Sequence, residues 1–179
     1  MKKLLFTALM AVGLSASAEE LSSGQAIACE ALLCLSSSVG GDLSECAPSL
    51  EKYYSINEKK FSDTIKERKS FLKLCPASSE EGMPDLVDAI TQGAGRCDAS
   101  QLNRNLVQTR MVEKSCRTYS HNERICDYET QYRISNKLPS YCQVYISNEF
   151  TDIGLHYSGS PVWQTKQEFN SNPSGKWIN

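Results

Sequence analysis

The stretch ACEALLCLS at residues 28–36 decides the fold, because it places two cysteines in an apolar run. Alanine and leucine are strong helix formers and a serine can cap the start, so we expect a buried helix over residues 23–36. On such a helix Cys29 and Cys34 point about 140° apart and lie about 7.5 Å apart along the axis. A disulfide needs facing side chains with Cα atoms within about 7 Å. We therefore predict that each cysteine bonds to a different partner and staples the helix on two sides, unlike a redox-active C-x-x-C pair.

The N terminus predicts export. Lys2 and Lys3 precede an apolar run that is too short to span a bilayer, and Ala-Ser-Ala at 16–18 has the A-x-A pattern of a cleavage site. We expect a signal peptide over residues 1–18, followed by Glu19 rather than by the cysteine of a lipoprotein. Because no later segment is apolar enough to cross a membrane, we predict a periplasmic protein without stable membrane insertion.

The cysteines after this segment are Cys29, Cys34, Cys46, Cys75, Cys97, Cys116, Cys126 and Cys142. An even count in an exported chain indicates a disulfide framework, although eight cysteines allow 105 connectivities. Cys34 and Cys46 flank a Gly-Gly loop. Cys75 ends a predicted helix that can return to the helix with Cys29, and Cys116 and Cys126 span a short predicted hairpin. From these positions we predict the pairs Cys29–Cys75, Cys34–Cys46, Cys97–Cys142 and Cys116–Cys126.

Helix signals continue to about residue 105. They are capping residues, prolines in first turns and apolar residues at i, i+3 and i+4. They predict one helix that begins between residues 42 and 48 and three more that cover 62–74, 84–93 and 98–105. From about 106 to 158 the chain is rich in valine, threonine, tyrosine and isoleucine, and RICDYETQYRI (124–134) and YCQVYIS (141–147) favour two or three antiparallel strands.

The predicted fold class is α+β, with a disulfide-stapled helical N-terminal part and a small, antiparallel, hairpin-rich C-terminal part. We expect one secreted domain over residues 19–158, helical to about residue 105 and built of strands from about 106 to 158. Residues 159–179 are polar and contain glycine and proline, which predicts a poorly ordered or extended tail.

The net charge of the chain argues against nucleic-acid binding, and the spacing of its cysteines and histidines argues against a metal site. Without the two lysines of the signal peptide the chain has 17 basic and 21 acidic residues, a net charge of about −4, and no block of lysine or arginine. Nucleic-acid binding needs a basic face. Zinc sites favour a second close pair of cysteines or histidines, which the later spacings do not contain. We assign neither a metal nor a cofactor to this chain.

Catalysis has little support in the sequence. The only histidines are His121 and His156, far apart in sequence, and no G-x-S-x-G nucleophile motif occurs. Glu30, inside the apolar helix, is the one acidic residue in an unusual place, so a lysozyme-like hydrolase acting on the cell wall is an alternative. A saposin-like lipid binder is another, because the cysteines form a helical framework. The sequence favours a binding protein over an enzyme.

Three consecutive segments carry a family resemblance. ACEALLCLSS (28–37), ECAPSLEKYYSI (45–56) and RKSFLKLCP (68–76) resemble the TrbM family of conjugal transfer proteins, which includes the KikA-type members. RCDASQLN (96–103) is similar to the same family. The resemblance implies an exported protein encoded with plasmid transfer genes, which acts as an accessory binding or assembly factor for a type IV secretion or mating-pair apparatus. It implies protein components of that apparatus as partners and brings no catalytic residue.

Overall fold

The computed structural model describes residues 20–118 and 123–179 of the 179-residue chain. The predicted signal peptide over residues 1–18 and the histidine His121 lie outside these ranges. Within the described part, no helix has both the length and the apolar character that crossing a membrane requires.

Helices build the N-terminal part. They are α1 (Ser23–Leu35), α2 (Ala47–Ser55), α3 (Phe61–Leu72), α4 (Met83–Gly93) and α5 (Ala99–Asn105). A capping box starts α1: the Ser22 hydroxyl accepts a hydrogen bond from the Gln25 N–H, and the Gln25 side chain accepts one from the Ser22 N–H. Pro48 and Pro84 stand in the first turns of α2 and α4, where the missing N–H needs no partner. These local signals explain why the sequence locates the helices well.

Strands and short helices build the C-terminal part. They are β1 (Val107–Thr118), β2 (Arg124–Ile134), α6 (Ser140–Ile146), β3 (His156–Gly159), β4 (Gln164–Thr165), α7 (Lys166–Ser171) and β5 (Gly175–Ile178). One antiparallel sheet has the order β1-β2-β4, and a second pairs β3 with β5. The predicted α+β fold class is confirmed, with a disulfide-stapled helical part followed by antiparallel hairpins.

The segment YCQVYIS forms the helix α6 and is not the strand that its composition favours. Cys142 and Tyr145, three residues apart, are both buried, and α6 packs against α4. Tyr145 contacts Gly93 so closely that an added Cβ would lie 2.5 Å from the tyrosine side chain. Its hydroxyl donates a hydrogen bond to the Leu35 carbonyl. Burial of this face against α4 overrides the strand preference of valine and tyrosine.

The polar tail predicted over residues 159–179 also needs correcting, because β4, α7 and β5 lie there. Trp177 is 5% exposed, and its indole N–H donates to the Ser135 carbonyl at 3.0 Å. The Asn103 side chain accepts a hydrogen bond from the Trp177 N–H and donates one to the Trp177 carbonyl, at 2.7 and 2.8 Å. One buried tryptophan and its backbone hydrogen bonds hold a segment whose average composition is polar.

A single cluster of buried residues joins the two parts of the chain. It includes Ala28, Leu72, Ile90, Leu102, Cys142 and Trp177. Since these residues come from α1, α3, α4, α5, α6 and β5, the helical part and the C-terminal segments bury their apolar faces against each other.

Candidate binding surfaces

Four disulfides hold the framework on which the surfaces lie. The pairs are Cys29–Cys75, Cys34–Cys46, Cys97–Cys142 and Cys116–Cys126. They are the four pairs that the sequence analysis predicts. Cys29 and Cys34 of α1 bond in different directions, one to the segment after α3 and the other to the turn before α2. The opposed directions follow from their spacing along the helix.

Two of the segments that carry the family resemblance, residues 45–56 and 68–76, meet around the buried Arg68. The Arg68 guanidinium lies 4.7 Å from the centre of the Tyr53 ring and 5.5 Å from that of Tyr54. Its Nε donates to the Ile56 carbonyl at 3.1 Å, and the Tyr53 hydroxyl donates to the Ile90 carbonyl at 3.3 Å. Burial raises the pKa of the Tyr53 hydroxyl, which therefore stays a neutral donor. These contacts join α2, α3 and α4, so the motif residues hold the helical body together.

The candidate catalytic residues have no catalytic surroundings in the described part. Glu30 is half-buried on α1, and the ion pairs observed among the described residues use other carboxylates. His156 is exposed at the start of β3, with Nδ1 3.0 Å from the Gly154 carbonyl oxygen. These contacts give neither residue a partner for acid–base or nucleophilic chemistry.

A polar cleft of about 290 Å³ brings together three titratable groups with raised pKa values. Tyr54, Asp98 and Tyr145 line it. Burial raises the pKa of Tyr54 to about 12, and the nearby Asp98 carboxylate adds to this shift. Partial loss of solvent raises the pKa of Asp98, although its side chain stays exposed at the mouth of the cleft. The tyrosine hydroxyls are thus neutral at physiological pH and are not activated as nucleophiles.

A groove with an apolar floor lies between α2 and α3. Two adjoining depressions of about 460 Å³ each share Lys52, Ser55, Phe71 and Leu74 as lining residues. We call this surface the α2–α3 groove, defined by Ile27, Lys52, Ser55, Ile56, Phe71 and Leu74. Leu74 is 51% exposed within it, which makes the floor accessible from solvent.

The paired strands β1 and β2, which we call the ribbon, are anchored at their base. The Trp163 ring lies between two ribbon arginines, 4.7 Å from Arg110 and 4.3 Å from Arg133. On the other face Tyr132 packs against Phe169 of α7, with ring centres 5.7 Å apart. The C-terminal segment thus clamps the base of the ribbon between two aromatic side chains.

Beyond its base the ribbon is exposed on both faces. Met111 is 72% exposed and Tyr128 is 60% exposed, and both lie on the same face, because Tyr128 pairs with Glu113, two residues beyond Met111. At about 3.3 Å per residue, β1 is about 40 Å long. A two-stranded ribbon without cover is marginally stable in water. The Cys116–Cys126 disulfide, in directly opposed positions, therefore holds its far end together.

One group of potential metal ligands lies on the ribbon. The Glu113 carboxylate and the sulfurs of Cys116 and Cys126 lie within 4.8 Å of one another. Because the two sulfurs are bonded to each other, they are not the thiolates that bind zinc. The two cysteines of the oxidised ribbon are therefore not available as thiolate ligands of a metal ion.

Comparison with known protein families gives a match over most of the chain. The model of the TrbM family matches residues 21–174, which include both the helical part and the ribbon. No curated protein and no solved structure matches the chain. The match extends the resemblance seen at residues 28–76 and 96–103 over the C-terminal part. The chain therefore belongs to the TrbM family, which makes it a protein of conjugal transfer.

Proposed function

We propose that this protein is a periplasmic accessory factor of plasmid conjugal transfer, which binds or helps to assemble protein components of a type IV secretion or mating-pair apparatus. The family membership supports the process. The four disulfides support an extracytoplasmic location, since such bonds persist in oxidising compartments. The proposed signal peptide over residues 1–18 would deliver the chain there.

The exposed ribbon is the observation that carries a binding role. Met111, Tyr128 and Ile125 are large apolar side chains with 72%, 60% and 55% of their surface exposed. Exposed aromatic and methionine side chains are enriched in protein interfaces. The free edge of β1 also leaves backbone N–H and C=O groups open to pairing with a partner strand. A stapled body that presents such an element fits a binding factor better than an enzyme.

Deletion of the gene from a transfer-competent plasmid tests this proposal. We expect the mating frequency to fall and to recover when the wild-type gene is supplied in trans, because a component of the apparatus would lack its binding partner. Pilus assembly, followed by electron microscopy of the donor cells, gives a second readout. A deletion that changes neither mating frequency nor pilus assembly would contradict the proposal.

A further inference from the structure

We infer that the α2–α3 groove binds an amphipathic helix of a partner protein, with lysine or arginine residues beside its apolar face. The inference deepens the proposed binding role and rests on it, but it concerns a different surface from the ribbon. It starts from the apolar floor, where Phe71 forms the base and Leu74 stays 51% exposed. Accessible apolar grooves in soluble proteins mark binding sites.

The walls of the groove favour a helical occupant. Most of the lining residues lie on the helices α1, α2 and α3, whose backbone N–H and C=O groups are largely bonded within the helix and are not available to a partner. An extended peptide would therefore leave its own backbone groups unpaired over an apolar floor, which is unfavourable. A helix satisfies its own backbone and needs only apolar side chains at the contact, as in other helix-in-groove complexes.

The charge around the groove indicates which charged residues the partner helix should have beside its apolar face. Its lining includes three exposed carboxylates, Glu51, Glu58 and Glu67, but only one amine, Lys52. The ion pairs observed among the described residues involve none of these four groups. The excess of unpaired carboxylates favours a partner with basic residues next to its apolar face. The same charge disfavours the anionic headgroups of a lipid surface.

The test uses two synthetic amphipathic helices with the same leucine face, one with lysine and the other with glutamate on its polar positions. We expect the lysine peptide to bind the oxidised protein at least about tenfold more tightly in fluorescence anisotropy. The double variant Glu58→Lys, Glu67→Lys should lose this preference. The matched control Glu80→Lys, Glu81→Lys changes the same charge on an exposed loop and should retain it.

The apolar contact has its own matched pair of variants. Leu74→Asn should weaken binding of the lysine peptide by about tenfold or more, because it replaces an exposed apolar side chain of the floor with a polar one and leaves the charge of the groove unchanged. Leu33→Asn makes the same change at another exposed leucine, 74% exposed on α1, that is not part of the groove, and should leave binding unchanged. Circular dichroism of both variants shows whether they are folded.

Three results would overturn the inference. The first is equal binding of the two peptides, and the second is a preference for the lysine peptide that persists in the double variant Glu58→Lys, Glu67→Lys. The third is flotation with vesicles of phosphatidylglycerol that depends on Leu74, which would indicate a lipid ligand instead. The peptide assay uses purified protein and does not depend on mating. A negative peptide result with a lowered mating frequency in the deletion strain would therefore refute the groove alone.

Discussion

The double variant Cys29→Ser, Cys75→Ser should lose about 4 kcal/mol of unfolding free energy, because its disulfide closes a long loop in the unfolded chain. The two cysteines are 46 residues apart and join α1 to the end of α3. Without the bond the unfolded chain gains entropy, and the core around Leu72 loses its fixed contact with α1. Urea denaturation under non-reducing conditions, followed by circular dichroism, measures the effect.

The ribbon disulfide provides the matched control. Cys116 and Cys126 are 10 residues apart, and the strands that they join are exposed. The far end of the ribbon can open without disturbing the core, so Cys116→Ser, Cys126→Ser should change global stability much less than the first variant. Equal losses in both variants, or a loss below about 1 kcal/mol for the first, would show that α1 does not depend on its staple.

Replacing Trp177 by alanine should lower the unfolding free energy by about 3–5 kcal/mol, the range for truncating a buried aromatic side chain. The ring is 5% exposed, stacks edge to face on Tyr157 with centres 5.3 Å apart, and donates its indole N–H to Ser135. Truncation would leave both a cavity and an unpaired carbonyl. Thermal and urea unfolding of the oxidised protein give the measurement.

Trp163→Ala is the comparison within the same segment. Trp163 is half-buried, and it contacts Arg110 and Arg133 through cation–π interactions that contribute about 1–2 kcal/mol together. We expect this variant to be clearly more stable than Trp177→Ala. Similar stability of Trp177→Ala and the wild type would instead support the poorly ordered tail that the composition favours.

The helical part is predictable because its signals are local. The spacing of Cys29 and Cys34 fixes their opposed directions before any partner is known, and capping serines and first-turn prolines fix where helices start. Each of these signals acts within one or two turns of the chain. The sequence therefore yields both the helix positions and the directions in which the disulfides leave α1.

The segments that the sequence places wrongly depend on distant contacts. Helix α6 forms because Tyr145 packs against Gly93, and the last strand forms because Asn103 binds the backbone of Trp177. Neither contact leaves a trace in local composition. The valine and tyrosine of α6 favour a strand, and the polar residues around Trp177 favour a loop.

The sequence pattern predicts the exposure of the ribbon but not that of the α2–α3 groove. β1 contains Arg110, Glu113, Lys114 and Arg117, which place charge on both faces of the ribbon, a signal that neither face is buried. The α2–α3 groove has no such signal, because Leu74 reads as one more inward residue at the end of a helix. Its exposure becomes visible only when α2 and α3 are placed side by side.

The central claim is that the ribbon, carried by a disulfide-stapled body, is a binding surface needed for transfer. The mating frequency of a deletion strain that carries ribbon variants tests this claim most directly. With Met111→Asp and Tyr128→Asp together we predict a frequency at least about tenfold below that restored by the wild type, because two exposed contact residues become charged. The ribbon variant should accumulate to the same level as the wild-type protein. The control variant Leu33→Asp, supplied to the same deletion strain, should restore transfer fully. Full transfer by the ribbon variant would contradict the account.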